Sequence, residues 1–272
     1  MTTAKFPLRG GDASTWQRPR SAEHRPSRPL APVLDAAESR PAAALARLAG
    51  RGHPVRTFLA GILIAYVAIA ALSISLGLLL TDVVLKSHGV ASGDESAVGF
   101  LARHRDATLT EASLIGSIIA GGVVLPALAG VLALLSAALR QWRAAAFFVF
   151  ALALESAAYR TTTLFVHRNR PDVHRLEHLP VNASYPSGHT AASIAVYCGI
   201  ALLLTSRLTR TWQRVAIWSV AVLIPVYVAG SRMYRGMHHP LDVLGGGVIG
   251  LAAVTAVVLC SRAAGIAAEE RR

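Results

Sequence analysis

The sequence has little charge and little cysteine. Charged residues make up 15% of its 272 residues and apolar residues 53%, a balance that excludes an ordinary soluble domain. The two cysteines, Cys198 and Cys260, both fall inside long apolar runs, so we expect no disulfide. We also expect no cleavable signal peptide, because more than fifty mostly polar residues precede the first apolar run.

Long apolar runs, by contrast, are plentiful. A helix that spans a bilayer needs about 20 apolar residues, and roughly 17 to 25 are observed. Most of the runs reach this length, and the intervals between them are too short to supply the amphipathic helices of a soluble shell. We therefore predict an all-α membrane protein with six transmembrane helices. The runs are 58–80, 112–139, 144–166, 190–206, 215–230 and 241–260.

The N-terminal segment differs in composition. Residues 1–55 are rich in Arg, Pro and Ala without a sustained period, and we expect a disordered basic tail. Nucleic-acid binding is one interpretation of such a tail. Basic residues before a first membrane helix are more typical of the cytoplasmic side, near anionic lipid, so we expect no nucleic-acid partner. Residues 56–262 would then form the membrane domain and residues 263–272 a short cytoplasmic tail.

The basic residues also predict an orientation. With six spans, the side that holds both termini carries two thirds of the 27 Lys and Arg residues. The positive-inside rule then predicts that both termini are cytoplasmic in a multi-pass protein of the plasma membrane. The loops over residues 81–111, 167–189 and 231–240 would face outward.

The second of these outer loops carries two polar motifs, HRNRPD at 167–172 and SYPSGHTAAS at 184–193. The planar guanidinium groups of Arg168 and Arg170 suit phosphate oxygens, which they can bind through paired N–H groups. Ser187 and Gly188 precede an apolar run, and the free backbone N–H groups of a helix start form an anion site. For Ser187 and Gly188 alone, an ordinary helix-capping turn is the alternative.

The third outer loop reads SRMYRGMHHPLD over residues 231–242. Pro240 suits the first turn of a helix. In a helical backbone, His238 and Asp242 would point the same way and could hydrogen-bond. The carboxylate would fix the histidine tautomer and leave the other ring nitrogen free to attack. Arg232 adds another phosphate-binding group; the alternative is that the histidines only contact lipid headgroups.

A metal site is a further alternative, built from His189, His238, His239 and Asp242. Nearby arginines would repel a cation and attract an anion. We therefore expect an anion pocket with no metal and no cofactor.

Together the motifs resemble the signature of the type 2 phosphatidic acid phosphatase (PAP2) family, also called the lipid phosphate phosphatase superfamily, in its bacterial integral-membrane branch. The family motifs are a lysine separated from Arg-Pro by six residues, then Pro-Ser-Gly-His, and then Ser-Arg followed after five residues by a histidine and after three more by an aspartate. The resemblance covers roughly residues 94–260 and implies a six-helix membrane bundle of the PAP2 type. The matching residues are Arg170, Pro171, Pro186, Ser187, Gly188, His189, Ser231, Arg232, His238 and Asp242.

One position departs from the family pattern. Thr163 stands where the family has its lysine, so one phosphate-contacting cation is missing. Arg168, or Arg160 one helical turn earlier than Thr163, could supply that charge. The departure bears on rate and substrate preference more than on the type of reaction.

The resemblance implies a division of roles. His238 would attack phosphorus and form a phosphohistidine, Asp242 would orient it, and His189 would protonate the leaving alcohol and later activate water. Phosphate oxygens would be bound by Arg168, Arg170, Arg232 and the backbone of Ser187 and Gly188. His239 would support the nucleophile from behind.

Glu155 lies inside the third apolar run. An ionisable residue there is functional or paired, and we expect it to brace one of the arginines. The alternative is a solvated side chain near the outer interface.

The expected substrate is a lipid phosphate that stays in the bilayer: polyprenyl diphosphate or monophosphate, phosphatidate, or phosphatidylglycerol phosphate. Three other functions remain open, namely a lipid phosphotransferase that uses the same phosphohistidine, a vanadium haloperoxidase, and a non-catalytic lipid-binding or transport protein. The family's haloperoxidases resemble soluble helical proteins, which the membrane spans argue against. Nothing in the sequence predicts an oligomeric state.

Overall fold

The structure is a computed structural model that describes residues 31–36, 39–50 and 52–271. Over these residues it is helical, with an isolated bridge between Arg168 and Ala183 and no named strand. The prediction of an all-α fold is confirmed. The helices are α1 (Arg40–Ala49), α2 (Pro54–Asp82), α3 (His88–Arg103), α4 (Ala107–Ile119), α5 (Val124–Ala138), α6 (Trp142–Phe165), α7 (Gly188–Ser193), α8 (Gly199–Thr205), α9 (Thr211–Tyr234) and α10 (Pro240–Glu269). Two short 3₁₀ helices, Pro32–Leu34 and Val84–Lys86, and a π-helical segment, Ile194–Cys198, complete the list.

Five helical segments in the described chain are long and apolar enough to cross a membrane: Pro54–Lys86, α6, Gly188–Thr205, α9 and α10. A sixth is present if α4 and α5, which meet at a bend of 42°, count as one span. The bend falls at Gly121 and Gly122, where two adjacent glycines weaken the helix. Exposed Leu, Val and Ile side chains cover the outer faces of these helices, which fits a multi-pass membrane protein.

The structure corrects the two expected tails. Residues 1–30 lie outside the described residues, but Arg40–Ala49 is helix α1, so the expected disorder does not extend over it. Ser39 caps α1 by accepting a hydrogen bond from the Ala42 amide, and Ala42 and Ala46 are buried where α1 packs on α10 and α2. At the other end, α10 continues to Glu269, because Ala263 and Ala267 are buried as well.

The core lies around α10, which packs against α2, α6 and α7. Glycines of α10 allow its backbone to lie close to the backbone at the start of α7. A Cβ added at Gly246 would lie against the Ser187 carbonyl, and one added at Gly250 would lie 2.5 Å from the Ala191 carbonyl oxygen. Backbone contact of this kind is typical of glycine at membrane helix interfaces. It brings the start of α7, with its PSGH motif, beside the start of α10, with its HHPLD motif.

Candidate active site

The loops that carry the polar motifs meet at one end of the helix bundle. The amide of Ser187 donates to the Asp242 carbonyl over 2.9 Å, and the amide of Leu176 donates to the Arg235 carbonyl over 3.1 Å. His189 and His238 line the same cavity, together with Arg170. Residues that are more than forty positions apart in sequence thus share one site.

His238 is buried and its tautomer is defined. Ring atom Nδ1 lies 2.7 Å from the Ser184 carbonyl oxygen, and because a carbonyl can only accept, Nδ1 carries the hydrogen. Nε2 therefore keeps its lone pair. Burial lowers the pKa of His238 well below its usual value, the charges of Arg170 and Arg232 add to this, and Asp242 opposes it. The ring is neutral at neutral pH, which is the form a nucleophile needs.

The hydrogen bond that the sequence predicts between His238 and Asp242 is not formed. His238 Nδ1 and Asp242 Oδ2 lie 3.9 Å apart. The reason is local: α10 begins at Pro240 and its N-cap, His239, is extended, so His238 precedes the helix and the four-residue spacing does not apply. Ser184 connects the two instead, since its hydroxyl donates to Asp242 Oδ2 over 2.6 Å while its carbonyl accepts from His238.

Asp242 belongs to a group of paired charges that we call the carboxylate bracket, formed by Asp94, Arg168, Asp242 and His239. Arg168 donates one NH₂ group to Asp94 and the other to Asp242. The amide and Nδ1 of His239 contact Asp242 Oδ2 over 2.8 and 3.2 Å. Asp94 Oδ1 also accepts from the Leu241 amide, which ties α3 to the start of α10.

His239 makes more side-chain contacts than its position outside the family motif suggests. Its Nε2 lies 2.9 Å from Glu95 Oε2, so both ring nitrogens face carboxylates. Burial lowers the pKa of His239, but the contacts with Asp242 and Glu95 outweigh it, and the net shift is upward. Through these two contacts His239 joins α3 to α10.

Arg168, which the sequence predicts to bind phosphate, is paired with two carboxylates in this structure. It is 7% exposed, and both of its terminal nitrogens are held by carboxylates. Arg170 bonds three backbone carbonyls, those of Pro180, Ala183 and Met237. A guanidinium has five N–H groups, so Arg170 keeps some for the cavity that it lines.

Arg232 has buried donor nitrogens that no described residue accepts from. Its side chain is fully buried, and Nη1 bonds Ser117 Oγ and both oxygens of Glu177 over 2.7 to 2.8 Å. Nε and Nη2 are buried, and within the described part of the chain neither has a hydrogen-bond partner. Buried donors of this kind are rare and call for an occupant, and an anion is the one that a guanidinium accepts.

Glu177 was not singled out in the sequence. Besides Arg232, its carboxylate accepts from Arg235 Nε over 2.6 Å. Burial raises the pKa of Glu177, but the charge and hydrogen bonds of Arg232 and Arg235 outweigh it and lower the pKa to about 2. A carboxylate that is ionised at neutral pH thus lies against Arg232, whose Nε and Nη2 have no partner among the described residues.

The start of α7 is more closely packed than an open anion site. The Ser187 amide is used by the Asp242 carbonyl, and its hydroxyl lies 3.0 Å from Thr190 Oγ1. A Cβ at Gly188 would lie 3.2 Å from the Tyr159 ring. Of these residues, Gly188 and His189 line the cavity, whereas the Ser187 amide, for which the sequence predicts phosphate binding, is engaged by the Asp242 carbonyl in this structure.

The cavity itself has a volume of about 230 Å³. Arg170, His189 and His238 line one part of it, and apolar residues of α5 and α6, such as Leu125 and Leu152, line another. The bend between α4 and α5 also borders it. A headgroup and the beginning of a lipid tail would find matching surroundings here.

The missing lysine has a candidate replacement. Thr163 Oγ1 donates to the carbonyl of Arg160 over 2.8 Å, and Arg160 lines the cavity. Of the two arginines proposed from sequence, Arg168 is held in the carboxylate bracket, so Arg160 is the one with access to a ligand.

Glu155 contradicts both interpretations drawn from sequence. It is 1% exposed, so it is not solvated, and the described residues place no arginine against it. Its Oε2 accepts from Ser156 Oγ over 3.0 Å, and its Oε1 is buried without a partner.

Comparison with known proteins shows which family the part of the chain with these motifs is similar to. Residues 144–266, which include all three polar motifs, match the family model of the PAP2 superfamily. The chain is 38% identical over 88 residues to phosphatidylglycerophosphatase B of Bacillus subtilis (strain 168), covering 32% of this chain and 43% of that protein. It is 41% identical over 75 residues to undecaprenyl-diphosphatase of Sulfolobus acidocaldarius, covering 28% and 32%.

The chain therefore spans less than half the length of the curated relatives it matches. The crystal structure of a transmembrane PAP2 type phosphatidylglycerolphosphate phosphatase from Bacillus subtilis has a similar fold, with a TM-score of 0.59 and 24% identity over 71% of this chain and 93% of that chain. The family model and the three motifs within it show that residues 144–266 of the chain are similar to the PAP2 superfamily, and the shared fold agrees with this similarity.

Proposed function

We propose that the protein is an integral-membrane lipid phosphate phosphatase that works through a phosphohistidine and needs no metal. The observation that carries the proposal is the neutral, buried His238, whose Nε2 lone pair is preserved by the Ser184 carbonyl in a cavity shared with His189. The relatives are named as phosphatases of membrane lipids, which supports the same reaction class.

The first chemical step is an in-line displacement. His238 Nε2 attacks phosphorus, the P–N bond forms, and the bond from phosphorus to the lipid oxygen breaks. His189 gives its proton to that oxygen, so the lipid leaves as a neutral alcohol or as a shorter phosphate. The phosphorylated ring is cationic, and Asp242 at 3.9 Å stabilises it by charge, while the Ser184 carbonyl holds its orientation.

The second step returns the enzyme to its starting state. His189, now unprotonated, takes a proton from water, and the resulting hydroxide attacks phosphorus. The P–N bond breaks, inorganic phosphate leaves, and His238 is neutral again. Throughout, the unpartnered Nε and Nη2 of Arg232 and the free N–H groups of Arg170 bind phosphate oxygens.

The proposal also covers location. We place the site at the outer face of the plasma membrane and both chain termini in the cytoplasm, on the strength of the Lys and Arg distribution. A lipid phosphate could then reach the cavity sideways with its tails still in the bilayer. Polyprenyl phosphates, phosphatidate and phosphatidylglycerol phosphate all meet this description.

The test is release of inorganic phosphate from a panel of these lipids by purified protein with EDTA present. We expect release by the wild type and a loss of at least about a thousandfold in kcat/KM for His238→Ala, since removal of a nucleophile has costs of this size or more. Phosphate found on an acceptor lipid would indicate a phosphotransferase instead. Equal activity of wild type and His238→Ala would refute the mechanism, and no turnover of any lipid would favour a binding protein.

A further inference from the structure

Glu155 is an acidic residue of the cavity that the proposed reaction does not use. It lies in the middle of α6 and lines the cavity, and its sole hydrogen bond in the described structure is the one from Ser156. Leaving the other oxygen, Oε1, buried without a partner is costly. A ligand in the same cavity is a natural source of the missing partner, because an intramembrane acid usually serves a site.

The depth of Glu155 indicates which part of a ligand it would meet. The Tyr159 ring packs against Gly188, next to His189, at the level where a phosphate would be held. Glu155 is one helical turn away on the same face of α6, which is about 6 Å deeper at a rise of 1.5 Å per residue. It would therefore face the first few atoms of the lipid beyond the phosphoester, beside the apolar Leu152 and Leu125.

The chemistry at that depth separates the two substrate classes that the proposed function leaves open. A glycerol-based lipid has hydroxyl or ester oxygens a few bonds from the phosphoester, and these can accept from or donate to a carboxyl group. An isoprenyl phosphate has only C–H groups there. A second, anionic phosphate beside an acidic side chain in an apolar wall would be disfavoured.

We propose that Glu155, positioned by Ser156, forms a subsite that selects glycerol-based lipid monophosphates over isoprenyl phosphates. The inference rests on the proposed function, because it assumes that the phosphate is held beside His189 and His238. Arg160, one residue after Tyr159, lies at the level of the phosphate and not at that of the glycerol, so it does not supply this selection.

The experiment compares two monophosphates in the same detergent micelles, dioleoyl phosphatidate and farnesyl monophosphate. Both carry a phosphomonoester, and they differ in the atoms beyond it, which are glycerol in one and an isoprenyl chain in the other. We expect the wild type to have the higher kcat/KM for phosphatidate by about tenfold, the usual size of one hydrogen bond used in discrimination. In Glu155→Met, which keeps the volume and removes the polar group, the ratio should fall about tenfold, with most of the loss in KM.

Two further variants make the measurement specific. Glu155→Gln still offers a donor and an acceptor, so it should restore at least half of the selectivity. Thr162→Val is the matched control: Thr162 is also buried on α6 and polar, but it bonds Ser73 Oγ over 2.7 Å and does not line the cavity. It should change stability without changing the ratio more than about twofold.

The outcomes separate the inference from the function on which it rests. If the wild type hydrolyses neither of these lipids nor any other lipid of the panel above, the proposed function fails. If it hydrolyses both and Glu155→Met lowers both rates equally, or leaves the ratio unchanged, the function stands and the selectivity subsite is refuted. Should Glu155→Met not fold, the ratio in Glu155→Gln and in Ser156→Ala decides: a fall of about threefold in Ser156→Ala supports the subsite, and an unchanged ratio in both variants refutes it.

Discussion

Arg168 and Arg232 are buried at the same end of the bundle, and their surroundings are opposite. Arg168 lies between two carboxylates that use both of its terminal nitrogens. Arg232 shares one nitrogen with Ser117 and Glu177 and keeps two buried donors without partners. The difference indicates that the two arginines have separate roles. The carboxylate bracket holds α3, the loop after α6 and α10 together, and we propose that Arg232 binds an anion.

The largest expected effect comes from breaking the bracket. Arg168→Met would leave Asp94 and Asp242 buried without their cation, and removal of one partner from a buried ion pair costs about 3–5 kcal/mol. We therefore expect a loss of that size in the free energy of unfolding, measured by thermal or denaturant unfolding in detergent. The control is Arg143→Met, which breaks a surface pair with Asp35 at 2.8 Å and should cost at most about 1 kcal/mol.

The result for Arg168 has a second use. If Arg168→Met keeps its stability and loses only activity, Arg168 is a phosphate ligand, as its position in the motif suggests, and the separation of roles is wrong. A partial recovery of stability in the double variant Arg168→Met, Asp94→Leu would support the bracket, because the second change removes one of the stranded carboxylates.

The comparison also shows how far the sequence predicts such a site. The helix starts at Gly188 and Pro240 follow from local Ser, Gly and Pro chemistry, and both are where the motifs indicate. The partner of Arg168 does not follow from local chemistry, because Asp94 lies 74 positions away and reaches it only after α3 has packed. A motif thus predicts which residues gather and not which of them pair.

The sequence also fails to predict some contacts and bends between residues that are close together in the chain. The expected contact of His238 with Asp242 assumed a helix across both residues, whereas the helix begins between them and Ser184 takes the place of the carboxylate. Among the spans, hydropathy predicted one segment over residues 112–139, and it could not show the 42° bend at Gly121 and Gly122 that borders the cavity. Both differences arise from backbone geometry, which composition does not encode.

A smaller effect is expected from Arg232, and on activity instead of stability. Arg232→Lys keeps the charge but replaces a planar fork by a single ammonium, so it cannot present two parallel donors to one phosphate. We expect kcat/KM to fall about a hundredfold, with the unfolding midpoint changed by only a few degrees. The matched control is Arg235→Lys, since Arg235 binds the same Glu177 and has no buried unpartnered donor among the described residues. In this control kcat/KM should fall by less than about fivefold. Equal losses in the two variants would show that Arg232 acts only through Glu177.

The smallest effect is expected at Glu177. Its carboxylate pairs with Arg232, much as two aspartates pair with Arg168. Because its pKa is lowered to about 2, Glu177 stays ionised at every ordinary assay pH and competes with phosphate for Arg232. Glu177→Gln should therefore make inorganic phosphate a tighter competitive inhibitor, by about threefold. Glu95→Gln makes the same change of charge at the same end of the bundle, where Glu95 contacts His239 and not Arg232, so it separates this contact from the general field. Weaker phosphate inhibition in Glu177→Gln would mean that the carboxylate orients Arg232 for the anion and does not compete with it.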